Sequence, residues 1–207
     1  MQSLAIDYMY LGDYVGLDSV LALNACHDAY VNAIESFART REGIPGSNSA
    51  LSLQFFRVLE IEYCEKLIIP LAQAVDIERL RELAAESDEE WKVRAWNYDI
   101  KCLDKIKSRS QDSFEIGAVR TMLGHIVGWK TQNDPCEEYL RPLVERFLSE
   151  DGKNALQRKD MLDVINNAVL EEYRVPGAHT GFLPYSTAVE SKEYVKTNLQ
   201  KVVSWFI

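Results

Sequence analysis

Residues 51–75 read LSLQFFRVLEIEYCEKLIIPLAQAV, a stretch that is apolar over most of a helix's circumference. Such a helix cannot turn a long side to water, and it usually occupies the centre of a bundle. The spacing predicts a helix from about Ala50 to Val75, kinked or split at Pro70, whose ring removes a backbone donor. A central apolar helix needs amphipathic neighbours, and the rest of the chain supplies them. A first helix is predicted from about Asp18 to Arg41, with Val20, Leu23, Ala33, Ile34 and Phe37 on its core face. The turn segment EGIPGSNS ends it. A short helix is expected from Ile77 to Ala85.

The next starts are marked by capping patterns. Ser87 stands three residues before Glu90, and Asp112 three before Glu115, each in the order of a capping box. Asp134 precedes Pro135 and Glu137, which predicts a cap followed by proline at the first helical position. After SEDGKN a long helix is predicted to end at Tyr173, and a last one runs from about Thr187 to Phe206. Val189, Tyr194, Val195, Leu199, Val202, Val203 and Phe206 form the stripe of that last helix. No segment alternates with the period of two that marks a strand. The expected fold is therefore all-α, a bundle of about seven helices in one domain over residues 1–207. Sequential helices pack antiparallel in such bundles when the connections are short.

Composition narrows the function classes. The 207 residues, 47% hydrophobic and 27% charged, suffice for a core without metal or disulfide staples. No apolar run approaches the roughly 20 residues needed to span a bilayer. The start MQSLAIDYMYLGDYVG has no basic region and carries acidic residues, so it does not read as a signal peptide, and a cytoplasmic protein is expected. Cys26, Cys64, Cys102 and Cys136 lie far apart without a CxxC pair, and they read as small hydrophobes rather than as a zinc site or disulfide framework. The net charge of −9 opposes a generic, charge-driven nucleic-acid binder, so any contact with RNA has to be local.

Three histidines carry the candidate chemistry. His27 neighbours Asp28 within the first predicted helix, where adjacent side chains point about 100° apart, and it reads as structural or surface. His125 and His179 both end the pattern Arg-x-x-x-x-His, in RTMLGH from Arg120 and RVPGAH from Arg174. Residues five apart on a continuous helix are rotated by about 140°. Arg120 and His125 therefore diverge, and His125 reads as a packed or interhelical residue. Arg174 and His179 flank Pro176 and Gly177, which end a helix near Tyr173 and turn the chain. That turn can bring guanidinium and imidazole onto one surface. In the alternative, Arg174 caps the helix C-terminus and His179 is an ordinary loop residue.

The segment VLEEYRVPGAHTGFLPYSTAVESKEYVKTNLQKVVSWF resembles the C-terminal part of the HEPN superfamily. The shared features are a long helix, Arg-x-x-x-x-His at its end, small or polar residues, and an amphipathic terminal helix. The resemblance is strongest over residues 155–207, and residues 1–110 have the character of a helical extension. It implies a dimeric, metal-independent endoribonuclease without a cofactor, in a toxin or antiviral defence setting, with an antitoxin or defence partner protein and no membrane contact. Arg174 would stabilise the scissile phosphate, His179 would transfer protons, and Tyr173 and Thr180 would assist in holding substrate. The residue types suit the task independently. Histidine titrates near neutrality, and arginine offers an always charged fork matched to phosphate. One position departs from the pattern: the residue after the arginine is commonly polar in active members, and here it is Val175. The other readings are a catalytically silent interaction module and a subunit that neutralises a nuclease.

Overall fold

The computed structural model describes residues 49–87, 89–108, 115–127, 134–166, 169–171 and 185–207. The regular elements among them are helical: α1 (Ser49–Tyr63), a π turn (Cys64–Ile68), α2 (Ile69–Ala74), α3 (Ile77–Ala85) and α4 (Glu90–Lys107). They continue with α5 (Ile116–Ile126), α6 (Pro135–Glu145), α7 (Glu150–Arg158), α8 (Asp160–Val164) and α9 (Tyr185–Trp205). One isolated bridge, between Leu148 and Phe206, is the β pairing found among the described residues. The all-α expectation holds. No helix among the described residues is long and apolar enough to cross a membrane. The first predicted helix, with His27 and Cys26, lies outside the described residues.

The chain divides into two compact units, with the divisions at Glu62/Tyr63, Ile165/Asn166 and Val203/Ser204. In the first, Phe56, Val58 and Leu59 of α1 are buried, as are Val195, Leu199 and Val202 of α9. The Phe56 and Tyr194 rings stack with centroids 6.0 Å apart. Buried Glu60 accepts from Arg57 at 2.8 Å, which spares the carboxylate the cost of burial without a partner.

The second unit begins at Tyr63, fully buried, whose hydroxyl donates to the Met161 carbonyl at 3.0 Å and whose ring meets Phe206 edge-on. The predicted disturbance at Pro70 takes the form of the π turn just before it. The Ile69 amide donates to the Cys64 carbonyl, five residues back. A proline ring crowds the carbonyl four residues earlier, and the wider turn accommodates it without breaking the helix. α3 has the expected bounds and is capped by Asp76, whose carboxylate accepts from the Arg79 amide at 3.1 Å. Asp134 caps α6 as expected, accepting from the Cys136 amide at 2.9 Å, with Pro135 in the first turn. α2 and α3 pack on α4, and α5 packs on α4 and α6. Cys64, Cys102 and Cys136 are buried free thiols, and burial pushes the Cys136 thiol up to about 12.

Four expectations need correction. Glu115, expected as the third residue of a capping box, is itself the cap position of α5, in extended conformation, and Asp112 lies outside the described residues. Ser87 is not the cap of α4: Glu89, in extended conformation, holds that position, and the Ser87 hydroxyl only accepts from the Glu89 amide at 3.4 Å. SEDGKN is not a connection. Ser149 caps α7, its hydroxyl accepting from the Gly152 amide at 3.1 Å, and the helix runs through the remaining residues. The long helix expected to end at Tyr173 is interrupted twice. Lys159 adopts a left-handed φ of 67°, and α8 stops at Ile165. Asn166 then begins a new turn, its side-chain oxygen accepting from the Val169 amide at 3.0 Å. Asparagine favours such local bonds over helix continuation.

Candidate functional site

Arg174 and His179, with Tyr173, Val175 and Thr180, lie outside the described residues. Within the second unit α4 and α5 line an open groove of about 830 Å³.

α4 has two faces. Trp96, Asp99, Ile100, Leu103 and Ile106 point into the core. Trp91, Arg94, Tyr98, Lys101 and Lys105 follow one another at steps of three and four, so they form a single stripe on another side of the helix, along the groove. Gly117, Ala118, Thr121 and His125 of α5 form the facing wall. Trp91 and Tyr98 are 43% and 49% exposed, which is unusual for large aromatics in a chain that buries most of the others described. The indole of Trp91 is held in place. Its Nε1 donates to Glu89 Oε2 at 2.6 Å, and Lys92 Nζ lies 5.7 Å from its ring centroid. Lys92 first and Trp91 second hold the Glu89 carboxyl below the usual range. Arg94 pairs with Glu90. Glu115 is the carboxylate on the groove, against the cations Arg94, Lys101 and Lys105.

His125 joins this groove to the core. Its Nδ1 lies 2.6 Å from Asp99 Oδ2, and its ring packs edge-on to Trp96 with centroids 5.5 Å apart. Arg120 and His125 share the continuous α5, as their spacing predicts, and His125 is the interhelical residue. A carboxylate on one ring nitrogen fixes an imidazole's tautomer and orientation. Asp99 is fully buried, and its second oxygen, Oδ1, has no hydrogen-bond partner among the described residues. Burial raises the Asp99 carboxyl, and the His125 hydrogen bond opposes the shift. Burial likewise raises the Cys102 thiol, so this cysteine on the groove is not a thiolate nucleophile near neutrality.

The raised carboxyl makes stability depend on pH. A carboxyl whose folded value lies above the unfolded 3.8 binds more protons in the folded state, so its contribution falls as pH rises through that window. Relative to Asp99→Asn, the wild type is expected to lose stability as pH rises above 3.8, with a constant difference below it. Denaturant melts of both proteins across pH check this. A difference that grows more favourable to the wild type with rising pH would overturn it.

Sequence reasoning missed the groove because a cation-and-aromatic stripe looks like an ordinary solvated helix face. The available signal was the placement of Trp91 and Tyr98 at helical spacing off the buried stripe of Trp96, Ile100 and Leu103. In comparisons with known proteins no family model matches the chain, nor does any curated protein or solved structure.

Proposed function

We propose that this chain is a metal-independent endoribonuclease of HEPN type, acting as a dimer in a toxin or antiviral defence setting. The observation that carries the reading is the pair Arg174 and His179 around Pro176 and Gly177, between helical segments of an all-α chain. In this reading Arg174 holds the scissile phosphate and stabilises the charge that develops on it. His179 takes the proton from the 2′-hydroxyl or returns one to the leaving 5′-oxygen. A single pair is a lean catalytic set, and two protomers would double it. Doubling also concentrates positive charge locally, which a chain of net charge −9 otherwise lacks.

Val175 favours a second reading, a catalytically silent HEPN-like interaction module, because an aliphatic side chain neither binds phosphate nor orients His179. Incubating the purified protein with total RNA in excess chelator decides between them. The endoribonuclease reading predicts discrete cleavage; intact RNA over a wide range of protein concentration supports the module.

A further inference from the structure

We infer that the groove between α4 and α5 is a binding site for a short stretch of single-stranded nucleic acid, separate from the Arg174/His179 motif and independent of whether that motif is catalytic. Two observations on this surface carry it. The first is the coincidence of exposed aromatics and cations on one helical stripe. Trp91 and Tyr98 are seven residues apart, two helical turns, and both are more than two-fifths exposed. Arg94 lies between them, and Lys101 and Lys105 continue the line. Aromatic rings that stack bases beside cations that follow a phosphate backbone are the two components of sequence-tolerant single-strand binding.

The second observation is charge contrast. The chain carries nine more negative than positive charges, yet Lys101 and Lys105 line this groove against the carboxylate of Glu115, while Arg94 is paired with Glu90 at its rim. An acidic or neutral apolar partner would not account for both the cations and the two exposed rings. The stripe from Trp91 to Lys105 is about 21 Å long at the rise of an α-helix, room for several nucleotides rather than one. The facing wall favours close approach, because Gly117 and Ala118 present almost no side chain there. Thr121 turns its hydroxyl back to the Gly117 carbonyl at 2.9 Å. His125, fixed by Asp99, closes the side nearest the core.

The occupant is a strand rather than a free nucleotide, and the test separates the two. A fluorescein-labelled, 2′-O-methylated oligonucleotide of about ten residues is the probe, since it resists cleavage through a 2′-hydroxyl and so reads binding whatever the motif does. Anisotropy titration at low salt is expected to show binding by the full chain. Trp91→Ala and Tyr98→Ala should each weaken it by at least about fivefold, as loss of a stacked base does. The double variant Lys101→Gln/Lys105→Gln should weaken binding and lower the slope of log affinity against log salt by about 1.4. Lys153→Gln, on α7 and off the groove, should leave binding unchanged. The four side chains to be replaced are exposed, so the variants retain the fold, which circular dichroism verifies. No binding by the wild type, or equal binding by wild type and groove variants, overturns the proposal. Competition by a mononucleotide as effective as by unlabelled oligonucleotide overturns the assignment to a strand.

Discussion

Replacing Gly152 with alanine should lower the melting temperature by about 4–8 °C, a large effect for the addition of one methyl group. Position 152 lies in the first turn of α7, against the C-terminal segment. A Cβ built there would stand 2.0 Å from the Trp205 carbonyl oxygen and 2.9 Å from its carbonyl carbon. Both are backbone atoms, so no side chain can rotate away. The segment they belong to is also tied down. The Ser149 amide donates to the Trp205 carbonyl at 2.9 Å, the Ser149 hydroxyl to the Ser204 carbonyl at 2.6 Å, and the Ile207 amide to the Phe147 carbonyl at 3.2 Å. Pushing the segment off α7 would break these bonds and loosen Trp205 and Phe206, which are buried.

Helix propensity acts in the opposite direction, since alanine is better than glycine by about 1 kcal/mol in a helix interior. The steric term wins because overpacking against fixed backbone costs about 3 kcal/mol or more. Gly117 on α5 provides the matched control. A Cβ there meets nothing within 4 Å. Gly117→Ala should therefore raise stability by up to about 1 kcal/mol. Thermal melts of both variants test the pair. An unchanged or raised melting temperature for Gly152→Ala would mean that the C-terminal segment does not sit on α7.

The second large effect concerns chemistry. Under the endoribonuclease reading, His179→Ala should slow RNA cleavage by about 10²–10⁴-fold, the usual worth of a positioned acid or base. Arg174→Ala should cost about 10²–10³-fold, as expected for a donor aimed at developing charge. Neither variant should move the melting temperature by more than a few degrees if the residues serve catalysis. Single-turnover cleavage rates, measured beside thermal melts, separate this from the alternative in which Arg174 caps a helix. In that case activity is unaffected and stability falls.

The parts of the fold that were legible in the sequence are those set by local chemistry. α3 begins and ends where its apolar spacing placed it. Asp134 and Pro135 start α6 because a carboxylate cap followed by proline needs no distant partner. α9 runs from Tyr185 to Trp205, close to the predicted Thr187 to Phe206. The corrections arise where a longer-range or competing local bond intervenes. Glu89 is engaged by Trp91 and Lys92, which leaves Ser87 a minor role beside α4. The break at Lys159 is the least expected, because lysine rarely adopts positive φ and its sequence neighbours give no warning. Asn166 was legible in principle, as a residue that readily caps a new turn.

The groove shows the same division. The reading of RTMLGH as part of a continuous helix holds, and His125 is the interhelical residue expected there. Asp99, the partner of His125, sits 26 residues earlier on another helix, and no local pattern links the two. The exposed aromatics Trp91 and Tyr98 became informative only once burial distinguished the faces of α4.

The most direct test of the proposed function is the chemistry of the RNA ends. Cleavage through the 2′-hydroxyl leaves a 2′,3′-cyclic phosphate on one fragment and a 5′-hydroxyl on the other. Mass spectrometry of fragments produced by the purified protein in chelator reads both ends. The expected result is cyclic phosphate and 5′-hydroxyl from the wild type, and neither from His179→Ala. Fragments with 5′-phosphate and 3′-hydroxyl ends, or cleavage that requires added magnesium, would contradict the roles proposed for Arg174 and His179.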